Sequence, residues 1–593
     1  MVETPSLPAY SPAYDRPPPA YTAPTTYTIG GRKTAVPLVH VDQLKAHLDL
    51  LRAFHGLREA VEKGDDGRFP VNVRALEGCQ RWVWFLELAV ERFRMWAASV
   101  QVMPIDEWVQ DEVPPLDVWM VWHAYLLNPI WYAEDCHRLP ALQGLKKLGD
   151  WFLPALTAAA DLPSSEPSSQ RKASWLQRTG TPFDPLAAAS EATDLRIECP
   201  KCRAEISVAC LQEDGSGYVQ RGFKVTCGKC SLQVTKEKLG IAKFVRDLCK
   251  DPRDDRDVAE YGDNVYLAGS LHTQTEITDS ERAQKVREAI MNSPTFDKYN
   301  VRAQLLGAKE KADKPAANEL WAQHIMKSLD YSLKNTQSAI SARMKPKLVN
   351  RIMSAYSDGR PFSIELVGAV LRQGSFVEKM HNFRWTEQGY FDDTEDEVVL
   401  VHAIARYHAF LDLMACSAGM LLVPTLDIDL AWHTHQLMGP GDDKIEENHL
   451  ATSFDLTCRA WERRFSVPYM HCGCPLPGDT IGQRLNRLSQ KVLSRPSQPG
   501  ALQPPPRPDA LSATHPSDHN SVYSPHGHSE HMRQSRAEKA RRRRERDAQR
   551  LKRGKLDEAA YRRGEAHDMA FLVPVPFFYT PSGCVGPGPP GML

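Results

Sequence analysis

The chain has 593 residues, and 42% of them are hydrophobic, which is enough to bury more than one core. Its 73 lysine and arginine residues nearly balance its 74 aspartate and glutamate residues. The resulting net charge of −1 excludes a chain-wide attraction to nucleic acid or anionic lipid, so any electrostatic contact must be local.

Neither a secretory signal nor a membrane span is expected. The first residues are polar and rich in proline, and no run approaches the roughly 18 apolar residues that a spanning helix requires. The thirteen cysteines are odd in number, which favours metal binding in a reducing compartment over a disulfide framework. We therefore expect a cytoplasmic protein, with the nucleus as a second location.

Composition and hydrophobic periodicity divide the chain into eight segments. In chain order they are a disordered Pro/Tyr-rich tail (1–36), a first helical block (37–160), a linker (161–194), a cysteine module (195–250), a helical connection (251–345), a second helical block (346–475), a disordered Pro/His-rich linker (476–532), and a basic helix with an apolar tail (533–593). The tail and the linkers contain too few aliphatic residues to offset the entropy of ordering.

The N-terminal tail contains the string Pro18-Pro19-Ala20-Tyr21. This P-P-x-Y form in a proline-rich segment is what WW domains bind as a polyproline II helix. A WW-domain protein is therefore a candidate partner. Chance co-occurrence of proline and tyrosine is the competing interpretation.

Two C-x-x-C pairs are the strongest chemical signal. Cys199 and Cys202 form the first pair, and Cys227 and Cys230 form the second. Two intervening residues let both thiolates of a pair reach one ion at about 2.3 Å, and four thiolates complete a tetrahedron without an open position. We predict one structural Zn²⁺ per chain in a zinc-ribbon-like hairpin module with its turn at 214–217. Free buried thiols and a redox pair are the alternatives.

An internal repeat is predicted, because residues 115–127 align without gaps to residues 425–437. Both copies contain an aspartate followed by a tryptophan–histidine pair, called the W-H motif below. The motif residues are Asp117, Trp122 and His123 in the first copy, and Asp427, Trp432 and His433 in the second. Each aspartate is placed to cap a helix N-terminus, and a helix with an arginine and aromatic residues precedes each copy.

Several strings resemble the glycine-rich domain-containing-protein-like family, found in fungi and plants, and the fungal members are most similar. These strings are PPLDVWMVWHAYLLNP, FSIELVGAVLRQGSFVEKM, VPTLDIDLAWHTHQL, DDKIEE and CGCP. The resemblance implies no agreed activity, since the family was once catalogued only as a domain of unknown function. The family pattern has a tyrosine-containing segment after WHTHQL, whereas Met438 to Gly441 here leads directly into DDK.

A second metal or functional site is a candidate at His433, His435, His471, Cys472 and Cys474. Positions i and i+2 of a helix lie about 200° apart, so His433 and His435 cannot both face one ion. Core histidines and a structural turn at 471–474 are the competing interpretations. Dioxygenase-like names among fungal members imply an iron site, but the three H-x-[DE] strings present are no more than composition predicts.

The run from Arg541 to Arg546 is strongly basic. It is a candidate nuclear localisation signal or RNA contact, and a solvated basic helix is the competing interpretation.

The sequence as a whole predicts a mainly α-helical protein, with two related helical repeats, a small β-rich zinc-ribbon-like insert and disordered tails. The first functional hypothesis is a non-enzymatic interaction or scaffold protein that contains zinc. The alternatives are a metal-dependent, iron- or oxygen-using enzyme centred on the second W-H motif, and an RNA-binding stress factor.

Overall fold

The computed structural model describes residues 21–64, 67–100, 102–158, 166–250, 265–272, 278–293, 296, 314–417, 422–439, 450–471 and 500–517. The described part of the chain is mainly helical with a few short strands, as predicted. The predictions made for Pro18, Pro19, Cys472, Cys474, the run from Arg541 to Arg546 and the whole segment 533–593 lie outside these residues.

The first helical block begins with α1 (Val41–Lys63), a long amphipathic helix. Its Leu44, Leu48 and Leu51 repeat at the spacing of one helix face and are buried. Gly64 ends the helix in the left-handed conformation (φ 62°), which glycine adopts at least cost. The other helices of the block are α2 (Val71–Arg74), α3 (Gly78–Ala97), α4 (Ile105–Asp111), α5 (Leu116–Leu126), α6 (Pro129–Arg138), α7 (Gln143–Gly149) and α8 (Phe152–Ala158).

The predicted linker at 161–194 is largely helical, which corrects the sequence interpretation. It contains α9 (Ser169–Thr179) and α10 (Pro185–Glu191). Ser168 and Asp184 each accept a hydrogen bond from a backbone N–H in the first turn of these helices. The serine and proline content that suggested a linker therefore comes in part from helix start signals.

The cysteine module contains two short antiparallel hairpins and one helix. In the first hairpin β3 (Asp194–Glu198) pairs with β4 (Glu205–Ala209), and in the second β5 (Val225–Thr226) pairs with β6 (Gln233–Val234). The paired strands lie on either side of each C-x-x-C pair, and none of the pairings spans residues 214–217, so the predicted hairpin around that turn was wrong. The module ends with α11 (Lys236–Cys249), whose N-cap Thr235 accepts from the Lys238 N–H.

The later helices complete two hydrophobic cores. They are α12 (Ser280–Met291), α13 (Lys314–Ser328), α14 (Leu333–Ser341), α15 (Pro346–Ser354), α16 (Leu366–Asn382), α17 (Thr394–Cys416), α18 (Leu426–Gln436), α19 (Leu450–Phe465) and α20 (Pro508–Ser512). The smaller core joins α11 to the helical connection through residues such as Phe244, Trp321 and Ile352.

The larger core runs through both helical blocks without interruption. Helix α1 packs against α3, α8, α16 and α18, and α16 also packs against α5. Trp122 of α5 and Trp432 of α18 belong to this same core. The two W-H helices are therefore parts of one packed body.

The predicted disordered tail is ordered from residue 21 onward in the structure. Strands β1 (Tyr27–Ile29) and β2 (Arg32–Thr34) form a hairpin that packs on α17. Its turn is Gly30-Gly31, with φ values of 57° and 82°, as a tight hairpin requires. The Gly30 N–H donates to Asp412 Oδ1 at 2.9 Å, so the turn is held by a buried carboxylate.

Part of the predicted disordered linker at 476–532 is also ordered. Residues 500–517 lie against the start of α18, where the Leu426 N–H donates to the His515 C=O and the Asp427 N–H to the Ala513 C=O. These bonds satisfy two of the backbone donors that a helix N-terminus leaves open. The segment is ordered by a long-range contact that its composition does not reveal.

Among the described helices, α17 is long and apolar enough to pass a membrane-span test by length and composition. However, 67% of its apolar window is buried inside the protein. It also carries the buried polar residues Arg406, His408 and Asp412. A core helix passes the same test, so this result is weak evidence for a span.

Replacing Trp175 by alanine tests whether α9 is part of the core. The Trp175 ring is 2% exposed and lies 5.2 Å from the Arg92 guanidinium of α3. We expect Trp175→Ala to lower the free energy of unfolding by about 3 to 5 kcal/mol, because a large buried side chain is removed. Chemical denaturation followed by circular dichroism measures this. Leu176→Ala, at a neighbouring side chain that is 54% exposed, should change stability by less than about 0.5 kcal/mol. Equal effects of the two changes would show that α9 is not packed.

Candidate metal centre and the W-H helices

The four predicted cysteines come together in the structure. Cys199 Sγ lies 3.5 Å from Cys230 Sγ, and Cys202 Sγ lies 3.5 Å from Cys227 Sγ. Four sulfurs bound tetrahedrally at about 2.3 Å would be about 3.8 Å apart, so the spacing suits one ion. The ligand atoms of these four cysteines all lie within 4.8 Å of one another. The cluster can hold a metal ion and is compatible with zinc.

The two C-x-x-C pairs have the same backbone geometry. The Cys199 N–H donates to the Ala204 C=O, and the Cys227 N–H donates to the Leu232 C=O. The residue after each second cysteine, Arg203 or Ser231, has a left-handed φ near 60°. Each pair is therefore a tight turn at the tip of a hairpin, and this turn aims both thiols to one side.

Backbone N–H groups favour the thiolate form within this cluster. The N–H groups of Cys230 and Lys229 lower the pKa of Cys227 to about 6, below that of an ordinary thiol. Burial raises the pKa of Cys199 to about 12. A bound cation would offset that cost, since metal binding deprotonates the thiol.

A buried carboxylate connects the cysteine module to the helical body. Glu87 of α3 is fully buried, and its oxygens lie 2.8 Å from Lys236 Nζ and 2.6 Å from Arg360 Nη2. Burial alone would raise the pKa of Glu87, but the two cations outweigh it and lower the pKa to about 2. The carboxylate stays charged and joins α3, the start of α11 and the segment before α16.

The aspartate of each W-H motif pairs with an arginine of the preceding long helix. Arg406 Nε of α17 lies 2.7 Å from Asp427 Oδ2, and Arg92 Nη1 of α3 lies 3.3 Å from Asp117 Oδ2. All four residues are buried. The aspartates are the second residues of their helices, and Pro115 and Thr425 occupy the N-cap positions, so the predicted capping role was wrong.

Aromatic rings and carbonyl groups surround both arginines. The Arg406 guanidinium lies 5.2 Å from the Trp461 ring and donates to the Tyr469 C=O at 2.9 Å. The Arg92 guanidinium lies over the Trp175 ring and donates to the Phe183 C=O at 3.1 Å. Each ion pair is therefore enclosed by a segment that lies about 35 to 65 residues beyond its aspartate along the chain, residues 175–183 for Arg92–Asp117 and residues 461–469 for Arg406–Asp427.

The W-H histidines point into the space between α1, α5 and α18. His123 Nε2 lies 2.9 Å from His47 Nε2, and His47 Nδ1 lies 2.8 Å from Thr434 Oγ1. His433 Nε2 lies 3.4 Å from the carboxylate of Asp429, one turn earlier on α18. All of these side chains are buried.

The other members of the predicted second site lie elsewhere. His435 Nδ1 is 2.7 Å from the Tyr407 hydroxyl, on a different side of α18 from His433, as the i, i+2 spacing predicted. The backbone N–H of His471 donates to Thr514 Oγ1. The structure does not bring His433, His435 and His471 to a common point among the described residues, and Cys472 and Cys474 are outside them.

Sequence reasoning missed three residues that the structure places at these sites. In the sequence, Arg92 and Arg406 are the arginines that stand among aromatic residues in the helix before each W-H motif. A charged residue within an otherwise apolar run could have indicated that each has a buried partner. His47 belongs to one of the three H-x-[DE] strings, which are no more frequent than composition predicts. No local signal separates it from other histidines, because its partners lie 76 and 387 residues away.

Comparison with known proteins supports one family. Residues 293–440 match the family model described as glycine-rich domain-containing protein-like. Two Arabidopsis thaliana proteins are similar over 139 residues, Glycine-rich domain-containing protein 2 with 32% identity and Glycine-rich domain-containing protein 1 with 29%. The findings support the glycine-rich domain-containing-protein-like family. Each alignment covers 20% of this chain and 16% of the relative, and no solved structure matches. The matched region includes α18 but not α5.

Removing the charge of Arg406 tests the contribution of the buried ion pair. We expect Arg406→Met to lower the free energy of unfolding by about 3 to 5 kcal/mol, because Asp427 would be left charged and buried. Thermal and chemical unfolding of the purified chain measure the change. Arg384→Met removes an arginine that is 66% exposed and pairs with Glu387, and it should cost at most about 1 kcal/mol. Similar losses for the two variants would contradict the proposed importance of burial.

Proposed function

We propose that this protein is a non-enzymatic, zinc-containing interaction scaffold of the fungal type within the glycine-rich domain-containing-protein-like family. The observation that carries the proposal is the set of four cysteine sulfurs around one point, which would complete a tetrahedral shell around an ion and leave no position for a substrate. The polar residues of the W-H motifs bond within the protein, which supports the same conclusion.

We further infer that the two W-H units are related repeats. Both W-H helices have 11 residues and carry the aspartate at the same position. Each aspartate pairs with an arginine from the long helix that precedes it. The two ion pairs are about 300 residues apart in the chain. A shared buried ion pair in the same register supports duplication more strongly than the similar letters alone.

Elemental analysis of the purified chain tests the zinc proposal. We expect about one zinc per chain from the cysteine centre, and we expect Cys199→Ser to release it and to lower the thermal unfolding midpoint, since metal binding contributes folding energy. Cys416→Ser is the matched control, because Cys416 is exposed and lies outside the cluster. Retention of full zinc by Cys199→Ser, or a wild-type chain without zinc, would refute the proposal.

WW-domain proteins remain the proposed partners, and the structure adds a condition. The Tyr21 hydroxyl donates to the Ala501 C=O at 2.7 Å, and its ring packs edge-on against His402 with centroids 5.7 Å apart. Burial raises the pKa of Tyr21. A WW domain would have to displace Tyr21 from this contact before it could bind the P-P-x-Y string.

This condition predicts different affinities for the tail and for the whole chain. A peptide of residues 12–26 should bind a P-P-x-Y-specific WW domain more tightly than the full chain does, because the peptide has no contact to break. Isothermal titration calorimetry of both measures the difference. Tyr21→Ala should abolish binding, whereas Tyr14→Ala should not. Equal affinities would refute the competition, and an inactive peptide would refute the motif.

A metal-dependent enzyme remains the second candidate, and one observation favours it. His123 of the first W-H motif contacts His47 of α1, and imidazole is a common ligand of catalytic metals. Metal-dependent turnover of a substrate, rather than a second bound ion alone, would distinguish this candidate from the simple scaffold.

A further inference from the structure

His47, His123 and His433 form a buried histidine cluster between three helices. His47 belongs to α1, His123 to α5 and His433 to α18, and their exposed fractions are 0%, 2% and 3%. Three buried histidines from distant parts of the chain are an unusual use of a core, because each ring must satisfy two polar nitrogens.

Hydrogen-bond directions in the cluster follow from the one bond that has a single possible donor. The Thr434 hydroxyl donates to the Leu430 C=O at 2.8 Å, because a carbonyl can only accept. Its oxygen therefore accepts from the Nδ1–H of His47. In the neutral ring this leaves a lone pair on His47 Nε2, and that lone pair faces His123 Nε2 at 2.9 Å.

A histidine that binds a metal is normally oriented in this way. One ring nitrogen donates to a protein oxygen, which fixes the ring, and the other nitrogen presents its lone pair to the ion. Two nitrogens each about 2.1 Å from one ion lie about 3.0 to 3.4 Å apart for angles between 90° and tetrahedral. The observed separation of 2.9 Å is close to that range, so an ion could take the place of this hydrogen bond with little movement once the Nε2 proton of His123 has moved to the Nδ1 atom of the same ring.

The surroundings favour the neutral rings that metals require. Burial lowers the pKa of His47 and lowers that of His123 to about 3, so neither ring must lose a proton at neutral pH. Phe54 and Phe152 lie against His123, with ring centroids 5.3 and 6.2 Å away. These apolar walls exclude water and would strengthen binding to an ion.

Helix α18 supplies a third donor and a carboxylate behind it. His433 directly precedes the threonine that orients His47. Beyond the effect of burial, it also contributes to the lowered pKa of both His47 and His123. Asp429 is fully buried and contacts the Nε2 atom of His433, which is the arrangement of a carboxylate that orients a histidine ligand. The Phe376 ring, 4.8 Å from His433, closes this side.

We propose that His47, His123 and His433 bind a divalent transition-metal ion, with Thr434 and Asp429 as positioning residues. The ligand nitrogens of the three histidines do not all lie within 4.8 Å of one another, so coordination by His433 would require its side chain to move toward the ion. The bound ion joins both W-H helices through α1. This site is separate from the cysteine centre and does not depend on the scaffold proposal.

Cobalt binding to the full chain tests the proposal, because cobalt reports the type of ligand. After chelation, the cysteine centre should take up one Co²⁺ with an intense thiolate charge-transfer band, and the histidine cluster a second Co²⁺ with only weak visible bands. We expect His123→Gln to lose the second equivalent and keep the first. Glutamine retains an N–H that can donate to His47, so a role in hydrogen bonding alone would leave the fold and the count unchanged.

The matched control is His55→Gln, on α1, the helix that also carries His47. His55 stacks on His381 with centroids 3.8 Å apart and is not part of the cluster, so this variant should bind two equivalents. If His123→Gln does not fold, Thr434→Val decides, and its affinity for the second ion should be about 10 to 100-fold weaker. If the wild-type chain binds one Co²⁺ and Cys199→Ser binds none, the histidine site is overturned while the zinc proposal stays intact. A second equivalent that persists in His123→Gln, or unchanged affinity in Thr434→Val, would also overturn it.

Discussion

A buried arginine–aspartate pair at the start of each W-H helix is the constraint on which much of the fold depends. A guanidinium inside a core needs more hydrogen-bond partners than one carboxylate can supply. Arg406 therefore also bonds Thr425 and the Tyr469 carbonyl, and Arg92 bonds the carbonyls of Pro182 and Phe183. These needs draw in segments that look irregular in the sequence, which explains why the supposed linker before the cysteine module is ordered.

The cysteine module is held to the helical body by packing and by charge, not only by its chain connections. Its core residues, such as Val208 and Tyr218, join the same hydrophobic core as α3. Lys236 and Arg360 meet on Glu87 at this boundary, and both also lie near the Tyr218 ring. A metal in the cysteine centre would thus stiffen a junction between the first block, α11 and the approach to α16. This position suits a structural role better than a mobile, separate insert.

Helix α1 lies between the two W-H helices, and its His47 contacts both of them. His123 meets His47, and Thr434, next to the second motif histidine, meets the other nitrogen of the same ring. Two similar strings are therefore joined through one residue outside both. The same helix also packs against α16, so α1 organises the body as a whole.

The sequence by itself determined the features that depend on short spacing. These are the four cysteines that come together, the helical character of the blocks, and the opposite directions of His433 and His435 on one helix. Bond geometry over a few residues is enough for each of them. Tertiary structure alone decided that His47 joins the cluster, that Asp427 pairs with Arg406, and that residues 27–34 and 500–517 are ordered. These outcomes depend on contacts between distant segments, because burial and hydrogen bonding in a core are satisfied by whichever groups packing brings together.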